Sequence, residues 1–188
     1  MGKSTTAGLF SEAGVPVHDS DATVHALYQG EAAAAIEAAF PGTTDHGKVD
    51  RAKLAARIVG DAAALRRLES IVHPLVRRAA NRFVAEAEAR GAPVAVLDIP
   101  LLFETGAEDR VDAVVVVSAP QETQRARALE RPGMDEDKFQ ALLANQMPDA
   151  EKRKRADFVV DTSRGLEPVR AEVKDILAKV VKMPQRRQ

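Results

Sequence analysis

Along this chain, short apolar runs alternate with longer stretches in which apolar residues recur at helical spacing. We predict strands at Val15–His18, Val94–Asp98, Asp112–Val117 and Phe158–Val160. Apolar residues fill nearly every position of the second and third runs, which is typical of strands covered on both faces. Helices are predicted over residues 4–13, 22–28, 31–40, 51–59, 62–72, 74–90, 120–131, 135–147, 150–155 and 166–182. Buried strands that alternate with helices predict an α/β protein with a parallel sheet.

Proline, glycine and capping residues set several of the predicted boundaries. Pro74 suits the first turn of a helix, so the His73-Pro74 pair predicts a break between the helices over 62–72 and 74–90. Asp50 is well placed to cap the helix that begins at residue 51. We predict a polar loop at Thr43–Lys48 and a loose tail at residues 183–188.

The predicted elements form a sheet core and two helical segments outside it. The length of 188 residues suits one domain, residues 1–188, whose sheet core we assign to residues 1–21, 92–120 and 156–182. Residues 22–91 form a helical block between two strands, which predicts an insertion packed to one side. Residues 121–155 form charged helices with little apolar content, which is typical of a lid that closes over a ligand.

The composition narrows the possible classes of function. The chain is 45% hydrophobic and 29% charged, and its formal net charge of −1 provides no basic field for nucleic acid or an anionic membrane. It contains no cysteine, which excludes disulfides, thiol catalysis and cysteine-bound zinc, and fits a cytoplasmic protein. No apolar run reaches the ~20 residues of a membrane span. One Tyr, six Phe and no Trp argue against a stacking platform for single-stranded nucleic acid.

A phosphate-binding motif begins at Gly2. The string Gly2-Lys3-Ser4-Thr5 leads directly into a predicted helix and matches the last part of a P-loop, G-x-x-x-x-G-K-[ST]. In that motif glycine lets backbone amides face the phosphates, the lysine reaches the β- and γ-phosphates, and the first hydroxyl binds Mg²⁺. We therefore predict that all four residues contact ATP and that Ser4 is the Mg²⁺ ligand. The alternative is a frayed N-terminus that only begins a helix.

Acidic residues follow the first predicted strand. Asp19 and Asp21 leave its carboxyl end, where α/β proteins place their ligands. A carboxylate at this place can accept the proton of an attacking hydroxyl group, and we predict Asp21 as this base. Asp19 is predicted on the acceptor side of the site, with a role as helix N-cap as the alternative.

Two arginines, Arg127 and Arg131, lie one helical turn apart on the helix that enters the predicted lid. Guanidinium groups so placed can clamp a transferring phosphoryl group or stack on adenine, and we predict both as nucleotide contacts. The alternative is a solvated charged face that binds no ligand.

Several separate motifs resemble those of the dephospho-CoA kinases. The segment Glu12–Val17, running into Asp19-Ser20-Asp21, is similar to the segment that follows the P-loop in that family. The other similar segments are Leu68–Arg77, Leu97–Glu104, Gln146 within Ala144–Met147, and Ala156–Asp161. On their number and order the chain is identified as a member of this family of P-loop kinases.

The resemblance implies a parallel P-loop sheet with a helical substrate domain and a lid. It implies transfer of the ATP γ-phosphoryl group, with Mg²⁺, to the ribose 3′-hydroxyl of dephospho-CoA, giving CoA and ADP. Asp21 matches the catalytic base, and Lys3 matches a phosphate contact with a catalytic role. His73 and Arg77 lie one turn apart and match the acceptor side, with a helix cap before proline as the alternative for His73. We expect a monomer or weak homo-oligomer with no nucleic acid or membrane partner.

The chain departs from that family at its beginning. Family members carry an apolar strand and a glycine-rich loop before the position of Gly2, and this sequence has neither. That strand lies between those at Val94 and Asp112, so we expect the two strands to have unpaired inner edges. Our hypothesis is a start codon assigned too far downstream, which upstream codons without such a strand would contradict. A smaller departure is Thr162, near which the family tends to carry Asn.

Two other functions stay open from the sequence. A related nucleoside or nucleotide kinase would use another acceptor, but the His73-Pro74 motif and the Leu97–Glu104 run argue against it. A catalytically inactive protein would only bind CoA-like or adenine nucleotides. The short phosphate loop supports this alternative, whereas the presence of Lys3, Ser4 and Asp21 counts against it. An inactive binder should be thermally stabilised by ligand and release no ADP.

Overall fold

The computed structural model describes residues 2–144 and 146–184. Its helices are α1 (Lys3–Glu12), α2 (Ser20–Tyr28), α3 (Ala33–Ala39), α4 (Arg51–Ile58), α5 (Ala62–Ala89), α6 (Gln121–Leu129), α7 (Glu136–Ala144), α8 (Asp149–Arg155) and α9 (Leu166–Val180). Its strands are β1 (Val17–Asp19), β2 (Thr44–Asp45), β3 (Lys48–Val49), β4 (Val96–Asp98), β5 (Val115–Ser118) and β6 (Phe158–Asp161). The predicted α/β class is confirmed.

The strands pair two by two. β5 and β6 form a parallel pair, with Val115 opposite Phe158. β1 pairs with β4, and the Val96 amide donates to the Pro16 carbonyl at 2.8 Å. Within residues 2–144 and 146–184 no ladder joins β4 to β5.

The described chain divides into two compact units. Unit 1 holds the residues up to Val17 and those from Ala92 onward, and unit 2 is His18–Gly91. Each unit has a hydrophobic core built from its own side chains.

The core of unit 1 lies between α1, β6 and α9. Its buried side chains are Leu9, Phe10, Val160, Val169, Val173 and Ile176. The last three recur at helical spacing, so one face of α9 covers the core. Arg170 of α9 also donates to Glu12 at 2.6 Å and ties α9 to the end of α1. This packing holds in place the helix whose first turn carries the phosphate motif.

Helix α5 runs unbroken through Pro74, so the predicted break at His73-Pro74 is wrong. A proline inside a helix costs about 3 kcal/mol. Leu68 and Val72 are buried in the core of unit 2, and burying two such side chains contributes about 3–6 kcal/mol. Pro74 and Ser70 are both exposed, so the Ser70 carbonyl, which loses its helical donor, can be hydrated. The free energy from burying Leu68 and Val72 therefore offsets the cost of a proline inside the helix.

The predicted loop Thr43–Lys48 contains the antiparallel hairpin of β2 and β3. Thr44 lies opposite Val49 in this hairpin. His46 and Gly47 have φ of 46° and 76°, the positive values of a tight two-residue hairpin turn. The prediction of a polar loop is therefore wrong at β2 and at Lys48, because the turn geometry, and not an apolar pattern, sets this pairing.

Helix α7 ends earlier than predicted. It ends at Ala144 and not at Met147, and Asn145 lies outside the described residues. The Met147 amide donates to the Glu104 carboxylate at 2.8 Å, and Pro148 is the N-cap of α8. Because a side chain binds this amide, it does not continue the hydrogen bonds of α7.

The strands also begin later than predicted, at Val17, Val96 and Val115. An apolar run marks a buried segment, whereas the limits of a strand follow the residues that find a pairing partner. Of the predicted tail, residues 185–188 lie outside the described part of the chain. Among the described helices, none has both the length and the apolar character needed to span a bilayer.

Candidate active site

The first turn of α1 carries the predicted phosphate contacts. Gly2 is the N-cap of α1 with φ of 92°, a left-handed value that favours glycine. Its carbonyl accepts the Thr6 amide at 2.9 Å and the Thr6 hydroxyl at 3.0 Å. The amides of Lys3, Ser4 and Thr5 have no acceptor within the helix, and Gly2 has no side chain that could cap them. The turn therefore presents backbone N–H groups and the positive end of the helix dipole.

Lys3 forms an ion pair with Asp98. Its Nζ lies 2.5 Å from Asp98 Oδ1. Asp98 ends β4, and its side chain is 9% exposed, against 41% for Lys3. The partly buried carboxylate thus holds an ammonium group that still reaches solvent. A phosphate group that approaches Lys3 must share or replace this carboxylate.

Arg127 is held against Thr162. Its Nη1 donates to Thr162 Oγ1 at 3.0 Å, and its Nη2 donates to the Thr162 carbonyl at 2.9 Å. Thr162 follows β6 and donates its own hydroxyl to the Ser118 carbonyl at the end of β5. In the same turn, the hydroxyl and amide of Ser163 donate to Asp161 and hold the pKa of that carboxyl below its ordinary value.

A cavity of about 360 Å³ collects residues from α1, α6 and the start of α9. The predicted nucleotide contacts that line it are Gly2, Thr5, Arg127 and Arg131. The other lining residues are Thr6, Thr162, Gly165, Leu166 and Val169. A larger cavity of about 620 Å³ lies among α6, α7 and α8, and none of its described lining residues is a predicted site residue. The smaller cavity is therefore the candidate nucleotide site.

Ser4, the predicted Mg²⁺ ligand, is exposed in the first turn of α1. Mg²⁺ usually takes one or two protein oxygens and completes its shell with water and phosphate oxygens. Among the described residues, no group of three or more His, Asp or Glu side chains could hold a metal ion. An exposed hydroxyl within the phosphate motif fits Mg²⁺ that is bound largely through a nucleotide.

Asp19 and Asp21 lie at the start of α2 in unit 2. Asp19 is the N-cap and accepts the Ala22 amide at 2.9 Å, which confirms the capping alternative. Asp21 lies in the first turn and is exposed, so its carboxylate is accessible to a ligand. Before them, His18 is buried with its ring 5.2 Å from that of Phe83. This burial lowers the pKa of the imidazole, against the opposing charge of Asp19.

His73 and Arg77 lie one turn apart on α5, and both are exposed. His73 is inside the helix and does not cap it, so that alternative is wrong. The neighbouring Arg78 pairs with Glu31 at 3.1 Å, whereas no ion pair of Arg77 is found in the part of the chain that the structure describes.

Charged contacts anchor α8, in the predicted lid region, to the segment that follows β4. Glu104 Oε1 accepts the Met147 amide at 2.8 Å and pairs with Lys152 Nζ at 2.9 Å. Arg155 pairs with Glu108 in the same segment. Burial raises the pKa of Glu104, but the hydrogen bonds from Lys152 and Met147 outweigh this effect and hold the pKa below its ordinary value.

Three residues that contact the candidate site or the predicted lid region were not among the predicted site residues: Asp98, Thr162 and Glu104. Asp98 has a usable signal, because it ends a buried strand in an α/β protein. Glu104 has no such signal beyond its place in a segment that resembles the family, and Thr162 follows such a segment at a position where the sequence departs from the family. The partners of the three residues lie 95, 35 and 43 positions away in the chain. No local pattern predicts contacts across such separations.

The sequence is similar to those of known proteins. The sequence model of the dephospho-CoA kinase family matches residues 1–167. A dephospho-CoA kinase of Bradyrhizobium diazoefficiens is 70% identical over 187 residues, covering 100% of this chain and 94% of that protein. One of Rhodopseudomonas palustris (strain BisB18) is 67% identical with the same coverage.

Solved structures share the fold. A crystal structure of a protein from Thermus thermophilus superposes with a TM-score of 0.82 at 37% identity, over 95% of this chain and 91% of that one. The dephospho-CoA kinase from Campylobacter jejuni superposes with a TM-score of 0.73 over 96% and 92%, and at 24% identity it supports the fold alone. The family match over most of the sequence and the relatives along its whole length show that this chain belongs to the dephospho-CoA kinase family.

Proposed function

We propose that this chain transfers the γ-phosphoryl group of ATP to the ribose 3′-hydroxyl of dephospho-CoA, giving CoA and ADP, the last step of coenzyme A biosynthesis. The observation that carries the proposal is membership of the dephospho-CoA kinase family along the whole chain. The cavity of about 360 Å³ supports it, because nucleotide contacts predicted from separate motifs meet there.

ATP binds in this proposal with its phosphates at the first turn of α1. The backbone amides that follow Gly2 and the dipole of α1 stabilise the negative charge. Arg127 and Arg131 contact the nucleotide from α6, where a planar guanidinium group can pair with phosphate or stack on adenine. Thr5 lines the same cavity.

Lys3 acts as the phosphate contact with a catalytic role. Before the nucleotide binds, Asp98 is its partner at 2.5 Å. The triphosphate carries more negative charge than one carboxylate and competes with it for the partly exposed ammonium group. During transfer, negative charge spreads over the γ-phosphoryl oxygens, and Lys3 stabilises it there.

Asp21 is the base on the acceptor side. The 3′-hydroxyl oxygen attacks the γ-phosphorus while the bond to the β,γ-bridging oxygen breaks, and the hydroxyl proton passes to the Asp21 carboxylate. ADP leaves with the electron pair of the broken bond. Asp19 supports the acceptor side as the cap of α2. His73 and Arg77 hold the phosphates or ribose of the acceptor.

Mg²⁺ belongs to this proposal as a cofactor, with Ser4 as its protein ligand. When bound, the ion neutralises charge on the β- and γ-phosphates. The part of Ser4 is to offer a hydroxyl oxygen from the first turn of α1, where the residue is exposed.

Residues 22–91 act in this proposal as the acceptor-binding insertion, and residues 121–155 act as the lid. The protein works in the cytoplasm as a monomer or weak homo-oligomer, without a nucleic acid or membrane partner. Size-exclusion chromatography of the purified chain tests its assembly, and cell fractionation tests its location.

ADP release with Mg-ATP, in the presence and absence of dephospho-CoA, tests the reaction. Asp21→Asn keeps the shape of the side chain and removes the base, so we expect kcat to fall about 10²- to 10⁴-fold. The Kd for ATP should not change, because Asp21 is assigned to the acceptor. Asp45→Asn changes an exposed aspartate of the β2–β3 hairpin and should keep the wild-type kcat.

The outcomes separate the alternatives. Equal kcat values for Asp21→Asn and Asp45→Asn would contradict the role of Asp21 as the base. Activity with another nucleoside or nucleotide in place of dephospho-CoA would favour a related kinase. Thermal stabilisation by ATP or CoA without any release of ADP would favour an inactive nucleotide-binding protein.

A further inference from the structure

Thr162 is buried beside the candidate nucleotide cavity. It is 8% exposed and begins the 3₁₀ turn Thr162–Arg164. Asp161 caps this turn, since its carboxylate accepts the Ser163 amide at 2.9 Å and the Ser163 hydroxyl at 2.7 Å. The backbone at Thr162 is therefore held in place by its neighbours in the chain.

The hydroxyl group of Thr162 has a fixed direction. It donates its one proton to the Ser118 carbonyl at 3.1 Å, and a carbonyl can only accept. The same oxygen therefore acts as an acceptor toward Arg127, whose Nη1 donates to it at 3.0 Å. The Thr162 carbonyl accepts Nη2 of the same guanidinium at 2.9 Å. One residue thus binds two guanidinium nitrogens and fixes the plane of the group.

The methyl group of Thr162 lies against the phosphate motif. A Cβ atom built on Gly2 would lie 3.0 Å from Thr162 Cγ2, closer than an ordinary van der Waals contact. Gly2, Thr162 and Arg127 line the same cavity. Thr162 therefore lies against Gly2 on one side of the cavity and binds Arg127 on the other, and both are predicted nucleotide contacts.

We propose that Thr162 is a positioning residue of the nucleotide site, whose hydroxyl orients Arg127 for ATP. The inference rests on the proposed function, because it assigns Arg127 to the nucleotide. A free arginine side chain occupies many rotamers, and ordering it on binding lowers affinity. Thr162 holds Arg127 in one orientation before ATP arrives, so this ordering is already complete.

Thr162→Val tests the role of the hydroxyl, since valine keeps the shape and the backbone carbonyl. We expect the Kd for Mg-ADP, measured by calorimetry, to rise about tenfold, as for one hydrogen bond to a charged group. Thr162→Ser keeps the hydroxyl and should restore the Kd to near the wild-type value. In turnover the KM for ATP should rise, while the KM for dephospho-CoA should not change.

Thr43→Val is the matched control for stability. Thr43 is also buried and donates its hydroxyl to a backbone carbonyl, that of Phe40, at 2.7 Å, but it does not line the cavity. Both valine variants lose a hydrogen bond from a buried hydroxyl to a backbone carbonyl, so the thermal midpoints of both should fall, and Thr162→Val loses the bond from Arg127 as well. Only Thr162→Val should change the Kd for Mg-ADP. Equal changes of Kd in the two variants would overturn the inference.

A double-mutant cycle separates this inference from the proposed function. Arg127→Ala should raise the Kd for Mg-ADP, and adding Thr162→Val to it should raise the Kd no further. Fully additive losses would overturn the positioning role. If Arg127→Ala weakens binding but Thr162→Val does not, the proposed function stands and this inference alone fails. If Arg127→Ala leaves the Kd unchanged, the nucleotide role proposed for Arg127 fails and the inference fails with it.

Discussion

At the scale of single residues, the candidate nucleotide site combines motif residues with partners from the ends of strands. Lys3 and Arg127 can be predicted from the sequence, because their charge and spacing indicate phosphate chemistry. Their contacts with Asp98 and Thr162 cannot, because each contact depends on how the chain brings the ends of β4 and β6 to α1 and α6. Residue types thus indicate which reaction the site suits, whereas the fold decides where the reacting side chains lie.

Gly2→Ala tests the close approach of α1 to Thr162. The new Cβ would meet Thr162 Cγ2 at 3.0 Å, and alanine would have to adopt a φ of 92°. We expect a loss of about 1–3 kcal/mol in the free energy of unfolding, measured by urea denaturation. The Kd for Mg-ADP should rise as well, because the first turn of α1 must shift.

Gly8→Ala is the matched control for this change. Gly8 lies within α1, and a Cβ atom there would meet no heavy atom within 4 Å. Alanine is the better helix former, so we expect a gain of about 0.5–1 kcal/mol in stability and an unchanged Kd. If Gly2→Ala is as stable as the wild type, or more stable, the close approach of Gly2 to Thr162 is contradicted.

At the scale of elements, local patterns predict which segments are helices and strands better than where they end. The amphipathic face of α9 gives a clear signal, and its predicted range is close to the observed one. Pro74 misleads because its local cost is visible in the sequence, whereas the burial of Leu68 and Val72 that offsets it is not. The β2–β3 hairpin stays hidden because its turn, and not apolar alternation, sets the pairing.

Glu104→Gln tests the anchor that joins α8 to the segment after β4. Glutamine can still accept the Met147 amide, but it loses the charge that pairs with Lys152, so we expect a loss of about 1–2 kcal/mol in stability at pH 7. The pKa of Glu104 in the folded chain is held below its ordinary value of 4.5. The carboxylate therefore contributes stability above that pH and loses it as the pH falls through the lower folded value.

The difference between wild type and Glu104→Gln in denaturant unfolding should accordingly shrink as the pH is lowered from 7 to about 3. Glu31→Gln is the control, because Glu31 forms an exposed ion pair with Arg78. Such pairs contribute about 0–1 kcal/mol, so this variant should be nearly neutral at pH 7. If the difference in stability between wild type and Glu104→Gln does not change with pH, the ion pair with Lys152 is not its cause.

At the scale of the whole molecule, the described chain consists of two compact units with separate cores. The predicted nucleotide contacts Lys3 and Arg127 lie in unit 1, and the predicted acceptor contacts Asp21, His73 and Arg77 lie in unit 2. If the proposed roles hold, each ligand should stabilise mainly the unit that binds it.

Hydrogen exchange measured with one ligand at a time tests this division. Mg-ADP should slow exchange of backbone amides at residues 2–6 and 162–166, because both segments contain residues that line the candidate cavity. Dephospho-CoA should slow exchange at residues 18–28 and 69–80, which carry the predicted acceptor contacts. Mg²⁺ without a nucleotide is the control and should change neither region. Protection by dephospho-CoA that is confined to unit 1 would contradict the proposed acceptor site.

The sequence by itself determined the α/β class, the order of most helices and of the four longer strands, and the family, because residue types and motif order carry that information along the chain. It also indicated Gly2, Lys3, Ser4 and Asp21, whose chemistry suits phosphoryl transfer. Only the tertiary structure decided that Asp98 holds Lys3, that Thr162 holds Arg127 and that α5 continues through Pro74. These outcomes depend on contacts and burial between residues far apart in the chain, which local sequence patterns do not encode.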